Sequence, residues 1–380
     1  MAPAGRSGAP GWPDRPNVGQ HPAVVLLVVD PADPDPGPIT RAAAVLRGGG
    51  LVAFPTETVY GLGGDALDPG AVARIFAVKG RPADDPLIVH VADMAGLAEV
   101  AGHLPDRVAG LAARFWPGPL TLVVPRSGAV PAAVSGGRPT VAVRVPAHPV
   151  ALALLRAAGR PVAAPSANRF GRISPTSAGD VVAELGDAVE MILDGGATSV
   201  GVESTVLDMC AEMPVILRPG AVTLEQLRAV LGRVEVAGRH EPAAGAAPGR
   251  YLRHYAPTTP LVLLERTEPA ALAALAETLA TAGLSVGVLL LGGDRPPAGV
   301  PTVALGPADR PGEVAATLYA ALRRADRLGV SVLVARILDE AGIGRAVNDR
   351  LHRAAAGRTV VGADPTSVDV VAGLAAGRPD

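Results

Sequence analysis

The chain has 380 residues, 49% of them hydrophobic and 18% charged, a length for two or three domains and a composition that buries cores instead of staying disordered. A formal charge of −2 excludes the chain as a whole as a polyanion binder and leaves room only for a local basic cleft. One cysteine, Cys210, and seven histidines without an HExxH pairing exclude an internal disulfide and a cysteine-rich zinc site, so a reducing, cytosolic setting is expected and no protein-ligated metal.

Residues 1–23, rich in Gly, Pro, Ala and Arg, read as a disordered extension with no charged start leading into an apolar signal segment. Order begins with a strand over 24–29, followed by a helix over 39–46 that ends at the triple glycine 48–50. Further strands are predicted over 51–54, 87–91, 120–124, 140–145, 162–164, 191–193, 204–208 and 215–217. Helices are predicted over 71–78, 94–101, 105–115, 149–158, 177–185 and 224–231. This mixture at this spacing is an α/β domain over 24–231, a twisted mixed sheet with helices packed on it. A proline- and alanine-rich stretch over 232–260 ends in an aromatic and basic cluster, so it reads as a linker made for contact. The pattern then restarts over 261–380: strands over 261–265, 285–291, 300–305 and 331–337, and helices over 269–282, 313–328 and 343–356. No apolar run reaches the 18 or more residues of a membrane span.

The Walker A, GxGxxG and GxSxG patterns are all absent. Polar residues cluster instead at strand ends. PTETVYGLG (55–63) crowds two threonines, Glu57 and Tyr60 at a strand-to-loop junction, a ligand-binding position in α/β proteins or a simple hairpin sequence. KGRPADDPLIVH (79–90) places two cations just past a helix, suiting a polyphosphate or merely the negative end of the helix dipole. Of 34 basic residues only Lys79 is a lysine; it marks either a site that needs a compact ammonium or a chance survivor on the surface. In RPTVAVR (138–144), Arg144 sits in an apolar strand, which is costly unless it meets an anionic ligand or a buried acidic partner. APSAN (164–168) with 171–174 is a loop of small hydroxyls and amides suited to an anion, and VEST (202–205) and LRPG (217–220) add Ser204 and Arg218.

Together, PTETVYGLG, KGRPxxxPLIVH, WPGPLT (116–121), TVAVRVPAHP, APSAN, STVLD and LRPG resemble the YrdC-like domain of threonylcarbamoyl-AMP synthases over roughly 24–230. HYAP (254–257), LRRAD (322–326) and GIGRAVNDRLHRAA (342–355) resemble the long, two-domain form of that family. The resemblance implies a YrdC-like domain followed by a smaller Rossmann-like α/β domain. It implies an enzyme that joins L-threonine, bicarbonate and ATP, accompanied by Mg2+, into L-threonylcarbamoyladenylate and pyrophosphate. The product would pass to the tRNA threonylcarbamoyl transferase machinery, in the cytoplasm, without a membrane or stable nucleic-acid binding. It places Thr58, His90, Arg144, Ser166 and Ser204 on threonine. It places Arg81, Asp85, Thr140, Ala164, Ser166, Ser174, Arg218 and Tyr255 on ATP, with Tyr255 closing over the nucleotide and Lys79 beside it. Lys79, Arg81 and Ser166 would act by positioning and charge stabilisation, with no protein nucleophile. The chain departs from the family pattern at Asp85, commonly asparagine, and in the linker APGRYLRHYAP (247–257).

Two rival classes fare worse. An RNA-holding module would stack bases on aromatics, and these are 3% of the chain. A hydrogenase-maturation carbamoyltransferase, which shares the YrdC-like domain, carries cysteine-rich zinc modules that a single cysteine cannot build. The second domain could also serve to regulate or recruit instead of catalysing.

Overall fold

The computed structural model describes residues 24–238, 251, 254–362 and 367–375. The extension read over 1–23, and Leu252 and Arg253 with 239–250 of the linker, lie outside the described residues.

The first unit runs β1 (Val25–Val28), α1 (Pro36–Arg47), β2 (Val52–Phe54), β3 (Gly61–Asp65), α2 (Pro69–Lys79), β4 (Ile88–His90), α3 (Met94–Val100), α4 (Arg107–Phe115), β5 (Leu120–Pro125), β6 (Thr140–Arg144), α5 (Pro149–Ala158), β7 (Val162–Ala163), α6 (Ala178–Leu185), β8 (Met191–Asp194), β9 (Thr205–Asp208), β10 (Val215–Arg218), α7 (Leu224–Leu231) and β11 (Glu235–Val236). Its strands form one mixed sheet in the order β1-β8-β2-β3-β7-β4-β6-β5-β9-β10-β11. The second unit runs β12 (Leu261–Glu265), α8 (Pro269–Thr281), β13 (Val286–Gly292), β14 (Thr302–Pro307), α9 (Pro311–Asp326), β15 (Val332–Arg336), α10 (Gly344–Ala355), β16 (Thr359–Val361) and α11 (Ser367–Ala375). Its five strands, ordered β14-β13-β15-β12-β16, are parallel throughout. Crossover helices on a parallel sheet are what the second sequence pattern anticipates. Among the described residues, no helix is long and apolar enough to cross a membrane.

Helix ends follow local chemistry. Asp68 caps α2 by accepting the Gly70 N–H, Pro69 opens the helix, and Gly80 ends it in the left-handed region at φ 60°. This stop makes Lys79 the last helical residue and turns Arg81 back towards the sheet.

The clearest departure from the sequence reading is β3, a GLGGD strand without any β-forming signature. A Cβ on Gly63 would lie 2.7 Å from the Phe54 ring and 2.9 Å from Val162. The strand pairs with β2 and β7 at a spacing that admits only a bare backbone. β11 also extends the first sheet, pairing with β10 inside the stretch read as linker, and the short β16 was not anticipated.

The two units share a core. Val59, Ile173 and Val202 of the first unit cluster with Tyr255 and with Leu261, Leu318 and Tyr319 of the second. Gly201, at φ 78°, permits this approach: a Cβ there would stand 2.3 Å from the Ala315 carbonyl oxygen on α9. Helices α9 and α10 of the second unit therefore pack directly behind the loops that carry the candidate site.

Candidate active site

β2 ends at Phe54 and delivers the chain into a polar turn at 55–60. The Thr56 hydroxyl donates to the Val59 carbonyl at 2.6 Å and accepts the Thr58 and Val59 N–H groups at 3.2 Å each. The turn is thereby fixed with Glu57 and Thr58 facing β6. Arg144, the last residue of β6, pairs with Glu57 at 2.7 Å, donates to the Thr58 hydroxyl at 2.9 Å and donates to the Gly118 carbonyl at 3.1 Å. Of the two readings of Arg144 the buried acidic partner is present, and the arginine also lines the cleft. Register sets its neighbour, since His90 on β4 pairs with Arg144 across the parallel ladder. Burial, reinforced by Arg144, pushes the His90 pKa down to about 3, so the ring is neutral. Its Nδ1 is buried with no protein partner.

A second group is built on the end of α2. Lys79 is 3% exposed, and its Nζ donates to the carbonyls of Ser166 and Asn168 at 2.5 Å each. It therefore does not simply cap its own helix; it braces the APSAN loop from behind. Burial, then the Arg81 charge, lowers its pKa well below the usual lysine value. Arg81 donates to the carbonyls of Asp85 and Pro86 and pairs with the Asp85 carboxylate at 2.9 Å. Burial raises the Asp85 pKa against the pull of Arg81.

The third group joins β9 and β10. Arg218 donates to the Ser204 carbonyl at 3.0 Å and to its hydroxyl at 3.2 Å, and the Ser204 and Thr121 hydroxyls lie 2.8 Å apart. Ser174 donates to Glu203 at 2.6 Å. Finally, His254 and Tyr255 enter from the linker, with rings 4.1 Å apart. The His254 Nδ1 and the Tyr255 hydroxyl are buried without a protein partner.

These groups enclose a cavity of about 40 Å3, room for a few waters at about 10–15 Å3 each. Thr58, Arg81, His90, Arg144, Ala164, Ser166, Ser204, Arg218 and Tyr255 all line it. Four of the anticipated residues do not: Lys79 and Asp85 stand behind it as partners of the loop and of Arg81, Ser174 turns to Glu203, and Thr140 lies at the start of β6, four residues before Arg144. Three buried arginines beside unpartnered imidazole and phenol atoms are an arrangement that can receive an anionic, hydrogen-bonding group.

The comparisons agree with this geometry. A family model described as Telomere recombination, covering the Sua5, YciO and YrdC proteins, matches residues 44–220. The model of the threonylcarbamoyl-AMP synthase C-terminal domain matches residues 222–356. The threonylcarbamoyl-AMP synthase of Pyrococcus abyssi is 46% identical over 331 residues, covering 85% of this chain and 95% of the relative. The chain belongs to the threonylcarbamoyl-AMP synthase family. The Bacillus subtilis synthase is 44% identical over 331 residues, covering 85% of this chain and 94% of its own length. The crystal structure of P. abyssi Sua5 complexed with L-threonine superposes with a TM-score of 0.84 at 43% identity, covering 89% of this chain and 99% of that one. The chain is thus a threonylcarbamoyl-AMP synthase-family enzyme with the YrdC-like fold.

Sequence reasoning missed two residues of this synthase-family site. Glu203 lines the cavity, and Arg350, wholly buried on α10, holds it at 2.7 Å. The signal was present: an acid between Val202 and Ser204, two residues before a strand, costs as much to bury unpaired as Arg144 does.

Proposed function

We propose that this chain makes L-threonylcarbamoyladenylate from L-threonine, bicarbonate and ATP, releasing pyrophosphate, in the cytoplasm. The observation that carries the reading is the single cavity lined by Arg81, Arg144 and Arg218 together with neutral His90 and the hydroxyls of Thr58, Ser166 and Ser204. The threonine complex of P. abyssi Sua5 supports the amino-acid half of it.

The threonine amine attacks carbon dioxide, with loss of a proton, or bicarbonate, with loss of water, to give a carbamate. A carbamate oxygen then attacks the α-phosphorus of ATP, and pyrophosphate leaves. Neither step needs a protein nucleophile. What they need is alignment of anions, and alignment can supply about 7–11 kcal/mol of barrier lowering in favourable cases.

Arg144 presents its fork with Glu57 fixing one edge, so the cation is preoriented for a carboxylate such as that of threonine. Thr58 and His90 lie beside it as uncharged partners for the amino acid's polar groups. Neutral His90 adds no second charge to compete with Arg144 for the carboxylate. Arg81 and Arg218 face the phosphates and offset charge developing on the leaving pyrophosphate. Ser166, on the loop that Lys79 braces, sits where the two substrates meet. Mg2+ arrives with the ATP phosphates as part of that substrate. His254 and Tyr255 close the cavity over the nucleotide and keep water from a labile mixed anhydride. The adenylate then passes to a separate tRNA threonylcarbamoyl transferase, and the chain itself holds neither RNA nor membrane.

Incubation with ATP, Mg2+, bicarbonate and single amino acids tests the reading by pyrophosphate release. Release that requires both bicarbonate and threonine is expected. Release independent of bicarbonate, or indifferent to the amino acid, would overturn it.

A further inference from the structure

The seam between the two domains holds one side chain with contacts to three separate pieces of the cleft. Arg350, on α10, is wholly buried. Its Nε donates to the Glu203 carboxylate at 2.7 Å, its Nη1 donates to the Pro219 carbonyl at 2.9 Å, and its guanidinium lies 5.3 Å from the centre of the Tyr255 ring. Glu203 immediately precedes Ser204, and Pro219 immediately follows Arg218. Asp349 neutralises the far side of the fork at 2.7 Å and is itself held by Arg353 at 3.1 Å.

We propose that Arg350 is a positioning residue of the cleft, through which the second domain sets Ser204, Arg218 and Tyr255 in register with one another. This rests on the reaction proposed above only for the assay that reads it.

Glu203 is the handle and not a proton acceptor. Its oxygens take hydrogen bonds from Ser174 at 2.6 Å, from Tyr319 at 2.8 and 3.0 Å, and from Arg350. A carboxylate held by so many donors keeps its charge and gains little from a further proton. The planar fork is what the task demands: two oxygens, one just before β9 and one just after β10, and an aromatic face are reached by one rigid cation, which the point charge of a lysine cannot reproduce. The β9–β10 ladder already joins the VEST and LRPG segments; without the second domain Glu203 and Pro219 would lose the cation that bridges them, and Tyr255 the cation over its ring.

The test compares full-length wild type, R350K, R350M and R350M/E203M. Pyrophosphate release gives kcat and KM for each substrate, calorimetry gives L-threonine affinity, and thermal unfolding gives stability. R350K is expected to melt near wild type yet to lose about tenfold to hundredfold in kcat/KM and to bind threonine more weakly. R350M leaves Glu203 buried without its cation and melts lower; the double variant regains part of that loss, because no uncompensated charge stays buried while the Ser174 and Tyr319 hydroxyls lose their acceptor, and its turnover stays down. Recovery of turnover together with stability in the double variant would reduce Arg350 to a structural ion pair. So would wild-type kinetics and wild-type threonine affinity in R350K. A wild-type chain that binds threonine but releases no pyrophosphate would refute the reaction, and the affinities would still decide the positioning role.

Discussion

Arg144 in the cleft and Arg350 in the seam are both buried arginines paired with a glutamate at 2.7 Å, yet their surroundings differ. The cavity that Arg144 lines also holds His90 Nδ1, His254 Nδ1 and the Tyr255 hydroxyl, buried polar atoms without a protein partner. Around Arg350, both oxygens of Glu203, the carboxylate of Asp349 and the hydroxyl of Tyr319 are all engaged by protein groups. An unsatisfied buried group costs about 1–3 kcal/mol, so a fold tolerates several in one place where water or a ligand can complete them. The satisfied network next door fixes the geometry that the open one presents. The difference separates recognition, which is left incomplete, from positioning, which is finished.

The comparison breaks first at Arg144. Arg144→Met strands Glu57 as an uncompensated buried charge and should cost about 3–5 kcal/mol in denaturant unfolding, with threonine-dependent turnover falling to background. An active, equally stable variant would show that the Glu57 pair does not organise the cleft. Next comes the seam. Gly201→Ala combines a backbone at φ 78° with a Cβ 2.3 Å from the Ala315 oxygen, so about 1–3 kcal/mol of stability should be lost and turnover should fall with it. A variant that melts and turns over like wild type would mean the domains need not pack this closely. Lys79→Arg keeps the charge but cannot place a larger fork between two carbonyls at 2.5 Å. Pyrophosphate release should fall about tenfold or more, equivalent to 1.4 kcal/mol or more of barrier, and melting should fall with it, because the larger side chain overpacks a buried site. Undiminished release would return Lys79 to the status of an accident of composition.

The smallest effect is one of pH. Folded His90 takes a proton only near pH 3, whereas the unfolded chain takes it near 6.5. Below 6.5 the unfolded state therefore binds more protons, and stability falls as pH falls, by up to about 1.4 kcal/mol per unit from this one group; above 6.5 its contribution is flat. His254 titrates in the same direction and remains in a His90→Gln variant, so the variant should melt with a shallower, not an absent, acid slope between pH 7 and 5. Parallel slopes would show that His90 is protonated in the fold.

Much of this was legible in the sequence because its signals are local. Proline–glycine punctuation marks α2, alternation marks β6, and strand-end hydroxyls mark the cleft. β3 was not legible, since its glycines answer to the bulk of Phe54 and Val162 from other strands. Lys79 was singled out by composition, but only the fold shows its ammonium turned to the APSAN loop. Arg350 and Glu203 meet across 147 residues, and nothing in either neighbourhood names the other. Burial cost flags single residues such as Arg144 and Glu203; it does not say which partner meets each across the fold.

The most direct test of the account follows the carbon. With carbon-labelled bicarbonate, ATP, Mg2+ and L-threonine, mass spectrometry should find one labelled carbon in an adenylate that also contains threonine, formed in step with pyrophosphate. Unlabelled threonyl-adenylate, or release of ADP and phosphate instead, would contradict it.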